Sequence, residues 1–193
     1  MPAELWLVRH GETEWSVAGR HTGATDIPLT DNGRAAAAAV GARLQGIEFA
    51  RVLTSPLARA RDTCALAGFE ERAEIVQDLR EWSYGEDEGL TTAKIREGRP
   101  GWTVWTHGPR QGESREQISS RADRAIATIR RVEGRTLAFT HGHFSRALAI
   151  RWIGQPLVNG RHLRLETAAI SVLGWERDTP ALTLWNDTGK LPA

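Results

Sequence analysis

The chain has 193 residues, a formal net charge of +1, and 40% hydrophobic and 25% charged residues. That balance describes one globular domain and excludes a disordered chain or a broadly basic nucleic-acid binder. The single cysteine, Cys64, excludes an intrachain disulfide and a cysteine-rich zinc site.

The first strand is expected at Glu4–Val8, a short apolar run punctuated by Arg9-His10-Gly11. Residues 12–29 show no sustained period and read as a loop. Thr30 resembles a helix N-cap, and the Ala-rich stretch from Asp31 to Leu44 follows it, closed by Gly46. Arg51–Thr54 is a second strand. Ser55-Pro56 is expected to open a second helix, with Pro in its first turn, running to about residue 67. Glu74–Gln77 is a third strand.

Residues 78–112 are irregular, with six glycines, two prolines, Trp82, Trp102 and Trp105. A segment of that length reads as an insertion that covers a site, with a short helix near 92–97. Residues 113–132 place Ile118, Ala122, Ala125, Ile126 and Ile129 on one helical face. Thr136–Thr140 is a fourth strand, and Ser145–Ile153 is a helix. The tail reads as strands at 162–165, 169–175 and 181–185, with a turn at 177–180. Alternating strands and helices indicate a single α/β domain over 1–193 with a mainly parallel sheet. Ligands of such sheets bind beyond the carboxyl ends of the strands.

Residues 1–8 are too short for an apolar signal core, and Arg9 and His10 interrupt them. No stretch of about 18 apolar residues occurs, so no membrane span is expected. The expectation is a cytoplasmic protein that meets neither nucleic acid nor membrane. The apolar tail strands leave a homo-oligomer open.

Of the 25 basic residues only Lys94 and Lys190 are lysine. Most of this arginine bias is what GC-rich coding produces. A few arginines have a sharper reading, because a guanidinium fork matches phosphate oxygens as lysine cannot. Two strand ends carry histidine beside glycine: His10-Gly11 and His141-Gly142-His143. In a parallel sheet both open on one edge, and the junction 54–59 brings Arg59 there too. A pocket holding Arg9, Arg59 and two histidines calls for an anion, and phosphate is the natural one. A three-histidine metal site is the competing reading. Two adjacent arginines would repel the cation, so no metal and no cofactor is expected.

The motif Leu7-Val8-Arg9-His10-Gly11-Glu12-Thr13 resembles the signature of the histidine phosphatase superfamily, the phosphoglycerate-mutase-like fold. The likeness continues in Gly19-Arg20-His21-Thr22-Gly23, Asp26-Ile27-Pro28-Leu29-Thr30 and Ser55-Pro56-Leu57-Ala58-Arg59-Ala60. Leu79-Arg80-Glu81, Glu88-Gly89 and His141-Gly142 complete it, over roughly residues 5–150. The resemblance implies a three-layer α/β/α sandwich. It implies His10 as the nucleophile that becomes phosphohistidine, and Glu81 as the acid for the leaving oxygen. Arg9, Arg59 and His141 would hold the phosphoryl oxygens. Gly11, Ser16, Thr22, Gly23, Trp82, Tyr84, Gly142 and His143 are expected to contact substrate. Arginines rather than a metal would supply the positive charge.

The family contains both mutases and phosphatases. Where a phosphoglycerate mutase carries a lysine, this chain has Thr92, and the mutase's inserted Arg-Arg pair is missing. Ser16 stands where the family usually has Asn. The segments 81–85 and 141–146 are similar to acid and sugar-phosphate phosphatases. The expected activity is hydrolysis of small phosphorylated metabolites, sugar phosphates or bisphosphates among them. The alternatives are a mutase primed by 2,3-bisphosphoglycerate and a non-catalytic phospho-ligand binding module.

Overall fold

A computed structural model describes residues 2–189. Six strands form one sheet: β1 (Glu4–Arg9), β2 (Arg51–Thr54), β3 (Ala73–Ile75), β4 (Arg135–Thr140), β5 (Ile170–Glu176) and β6 (Thr179–Asp187). Their order is β3-β2-β4-β1-β5-β6. The first four run parallel, β5 is antiparallel to β1, and β6 is antiparallel to β5. The sheet is therefore mainly parallel, with an antiparallel edge.

The helices in chain order are α1 (Glu14–Val17), α2 (Asp31–Leu44), α3 (Ala58–Leu66), α4 (Thr92–Gly98), α5 (Val104–His107), α6 (Arg115–Ile129) and α7 (Gly142–Trp152). Side chains alternate across a strand, and here both faces are apolar. Leu5, Leu7, Leu53 and Ala138 join Ile118 and Ala122 of α6 and Leu148 of α7 in one cluster. Val8, Val52, Leu137 and Phe139 join Val40 and Leu44 of α2 and Cys64 of α3 in the other. Two helical layers thus sandwich the sheet. Among the described residues no helix is long and apolar enough to cross a membrane.

Several elements differ from the sequence reading, each for a local reason. The 12–29 loop contains α1, because Thr13 and Ser16 close a capping box around one helical turn. α3 begins at Ala58 rather than at Ser55-Pro56. The Ser55 hydroxyl is engaged elsewhere, and Asp26 accepts the Ala58 N–H at 2.9 Å. The third strand ends at Ile75, and a 3-10 turn takes Gln77–Leu79. α6 is shorter than expected at both ends, since Ser114 and Gln117 form the capping box that starts it. α7 begins three residues before Ser145, with His141 at its N-cap.

The strand expected at 162–165 does not form. Leu157–His162 is a 3-10 helix, and the next carbonyls bond side chains instead of a neighbouring strand. Leu165 O accepts from Arg9, and Arg164 O accepts from the Trp185 indole. The segment 78–112 is densely packed: Trp82, Tyr84, Ile95, Trp102, Val104 and Trp105 all belong to the α6/α7-side core.

Candidate active site

β1, β4 and β2 are adjacent and parallel, so their carboxyl ends share one edge. The next residues are His10, His141 and Ser55. The His10 N–H donates to Thr140 O and the Ser55 N–H to Phe139 O, each at 2.9 Å, which continues the ladder to the site. The His10 and His141 rings lie 5.3 Å apart between centroids.

The His10 ring is held by its own loop. Its Nδ1 lies 2.8 Å from Gly11 O, a carbonyl that can only accept, so Nδ1 carries the hydrogen and Nε2 keeps its lone pair. Burial, then Arg59 and Arg9, pushes the His10 pKa well below 6.5, so the ring is neutral near pH 7. Gly11 permits this turn. A Cβ there would stand 2.4 Å from Gly33 O, and its N–H donates to Thr63 Oγ1.

Arg59 is fully buried and gripped by three carbonyls: Thr25 O at 2.9 Å, Thr22 O at 3.1 Å and Gly23 O at 2.9 Å. Glu88 holds that loop in shape by accepting the N–H groups of Gly23, Ala24 and Thr25. The Nε atoms of both Arg59 and Arg9 are buried without a hydrogen-bond partner among the described residues. Burial lowers the pKa of each arginine, which is the cost of crowding cations out of water. Gly142 lets the start of α7 approach Arg9, since a Cβ there would lie 3.2 Å from Arg9 Nε.

Glu81 sits against the N-terminus of α7. Its Oε1 accepts from the N–H groups of Trp82 and Phe144, and its Oε2 from that of His143 at 3.0 Å. These bonds fix both carboxyl oxygens beside the cavity. His143 is tied to Tyr84, whose hydroxyl lies 2.7 Å from Nδ1. Burial, then Arg146 and His21, lowers the His143 pKa well below its ordinary value, and burial raises that of Tyr84 well above its own.

A cavity of about 270 Å³ opens over this edge. Of the expected residues, Arg9, His10, Ser16, Thr22, Glu81, Tyr84, Gly142 and His143 line it. Arg59 and His141 have no exposed surface and lie behind the lining. Three expected contact residues do not line the cavity. Trp82 is a core residue, fully buried edge-on against Trp105, with its indole N–H on Glu113 O at 2.7 Å. Gly11 and Gly23 serve through their backbones, as His10 and Arg59 anchors. The Ser16 hydroxyl is spent on Thr13, accepting its N–H and donating to its carbonyl.

Gly19, Arg20, His21, Thr92, Arg146 and Leu165 also line the cavity. Arg20 and His21 belonged to a recognised motif without a role. Arg146 was legible as the residue one helical turn after His143. Leu165 had no sequence signal, because an unstructured carbonyl brings it to Arg9. Among the described residues no group of three or more His, Cys, Asp or Glu side chains converges as a metal-ligand set.

The fold and site define an α/β protein with a cation-lined, imidazole-centred pocket at the carboxyl edge of its parallel strands. The chain belongs to the histidine phosphatase superfamily (branch 1), whose family model matches residues 5–188. It is 45% identical over 189 residues to an acid phosphatase of Mycobacterium tuberculosis, covering 96% of this chain and 93% of that one. It is 38% identical over 180 residues to sedoheptulose 1,7-bisphosphatase of Saccharomyces cerevisiae, covering 77% of this chain and 66% of the relative. The solved structure of the open reading frame Rv3214 product of Mycobacterium tuberculosis superposes with a TM-score of 0.90 at 43% identity, covering 97% of this chain and 99% of that one.

Proposed function

We propose that this enzyme hydrolyses phosphomonoesters of small metabolites by passing the phosphoryl group through Nε2 of His10. The observation that carries this reading is the His10 ring itself: neutral, fixed through Nδ1, and facing a cavity ringed by cations. In the first step the Nε2 lone pair attacks phosphorus and the bond to the ester oxygen breaks. That oxygen leaves with its electron pair and takes a proton from Glu81. In the second step a water oxygen attacks phosphorus while Glu81 takes back a proton. The P–N bond breaks, its pair returns to Nε2, and inorganic phosphate departs. Arg9, Arg59 and His141 stabilise the charge that spreads over the equatorial oxygens.

The relatives named acid phosphatase and sedoheptulose 1,7-bisphosphatase support hydrolysis over phosphoryl retention. So does Thr92, a neutral cavity residue where a mutase would carry lysine. Residues 78–112 contribute Glu81, Tyr84 and Thr92 to the wall that meets the leaving group, within one domain. Arg146 favours substrates with a second anionic group. It spends Nε on Gly160 O and lies over the Trp105 ring at 4.6 Å, and its Nη atoms make no hydrogen bond among the described residues. Arg9, Arg20 and Arg146 line the cavity, and with Glu81 carrying the proton that it gives to the leaving oxygen, one phosphate dianion leaves one positive charge unmatched.

A phosphate-release screen over metabolite monoesters and bisphosphates tests the activity. Labelling with radioactive substrate tests the intermediate. Acid-labile label on the wild type and none on His10→Ala is the expected outcome. Persistent label on the variant places the nucleophile elsewhere.

A further inference from the structure

The two histidines at neighbouring strand ends are held by opposite ring nitrogens. His10 is tied through Nδ1 to a carbonyl, whereas His141 is tied through Nε2, 2.7 Å from Ser55 Oγ. Ser55 is fully buried, and its Oγ already accepts the Leu57 N–H at 3.3 Å. Among the described residues, the one acceptor in reach of the Ser55 hydroxyl hydrogen is His141 Nε2. If Nε2–H donated to Ser55 instead, that hydroxyl hydrogen would be buried without a partner, which is costly. The hydroxyl therefore donates, Nε2 is unprotonated, and a neutral His141 carries its hydrogen on Nδ1. That nitrogen is buried and has no hydrogen-bond partner among the described residues. Burial disfavours the charged ring. So do the charged and titratable groups that face it: Arg59 from α3, His10 and Arg9 from the end of β1, and Arg121 from α6.

We propose that Ser55 is a positioning residue that fixes His141 as the Nδ1–H tautomer, making it a neutral donor to a phosphoryl oxygen while His10 presents a lone pair. The proposal rests on the phosphoryl-binding reading of His141 given above. It explains why a serine hydroxyl occupies the end of β2. A carbonyl at that place would force the opposite tautomer and turn a lone pair toward the anion. The two rings thereby divide the labour, one attacking phosphorus and the other donating to oxygen, with neither needing a positive charge.

Nitrogen NMR of the full-length protein, labelled at histidine, reads the tautomer directly. The expected result for His141 is a protonated Nδ1 and an unprotonated Nε2. A protonated Nε2 overturns the proposal without any variant. Ser55→Ala should mix the tautomers and weaken competitive inhibition by inorganic phosphate by about tenfold, the loss of one charge-assisted hydrogen bond. The KM for an uncharged leaving group should rise less than kcat falls, because the bond strengthens as charge develops. Ser55→Thr, which keeps the hydroxyl, should restore the Nδ1–H tautomer. An unchanged tautomer and unchanged phosphate affinity in Ser55→Ala overturn the proposal. His10→Ala tests the phosphohistidine and leaves the His141 tautomer readable, so the two readings fail separately.

Discussion

Removing the Glu88 carboxylate should weaken the site without touching any residue that lines the cavity. Glu88 accepts the N–H groups of Gly23 at 3.0 Å, Ala24 at 3.3 Å and Thr25 at 2.7 Å. The same short loop turns the carbonyls of Thr22, Gly23 and Thr25 onto the Arg59 guanidinium. One carboxylate therefore shapes the cradle that aims one buried arginine. A hydrogen bond to a charged group contributes about 1.5 kcal/mol at the low end. The Ala24 and Thr25 N–H groups are exposed and regain water when the carboxylate goes, so the loss in Glu88→Ala corresponds to roughly one such bond, about 1.5 kcal/mol. If half of it reaches the transition state through a displaced Arg59, kcat/KM falls about threefold, and if all of it does, about tenfold. The assay is p-nitrophenyl phosphate hydrolysis, with a thermal melt to show that the variant is folded. Glu88→Gln keeps one acceptor oxygen and should fall between wild type and Glu88→Ala. A folded Glu88→Ala with wild-type kcat/KM would refute the cradle argument.

Three further outcomes follow from the same geometry. Arg121→Met should lower stability by about 3–5 kcal/mol, because it strands a buried carboxylate. Arg121 is 1% exposed, 2.6 Å from Glu113, and bonded to the carbonyls of Asp78 and Arg80, so a calorimetric loss under 1 kcal/mol would count against this. Burial lowers His21 to about 4, so the folded state binds fewer protons than the unfolded chain. Its contribution, about 3 kcal/mol at 1.36 per unit, is fully present above pH 6.5 and lost as pH falls from there toward 4. Urea titrations at pH 7.5 and 5 should show the decline, and His21→Gln should flatten it; equal slopes would contradict the assignment. Arg146→Met should reduce kcat/KM for bisphosphates about tenfold more than for p-nitrophenyl phosphate. An equal loss on both would remove Arg146 from second-anion binding.

The motif histidines and arginines were legible because phosphoryl chemistry demands particular groups. Arg9, His10, Arg59, Glu81 and His141 do gather around one strand edge. Their surroundings were less legible. Trp82 looked like a pocket wall, yet it is a core ring, since a tryptophan run alone does not say which face turns inward. The strand expected at 162–165 failed because its apolar alternation competed with the Arg9 and Trp185 side chains, which take the carbonyls a ladder would need.

The sequence by itself determined the α/β alternation, the parallel core and the identity of the charged groups. These follow from local periodicity and from residue chemistry. The arginine bias noted at the outset did not reveal which guanidinium does what. Only the tertiary structure decided that Nε of Arg59 and of Arg9 meets no acceptor among the described residues, that Arg146 lies over Trp105 at the cavity, and that Arg121 is a core strut. It also decided that Nε2 of His141 meets the Ser55 hydroxyl. Those properties depend on hydrogen-bond partners that come from distant parts of the chain, and no local pattern encodes them.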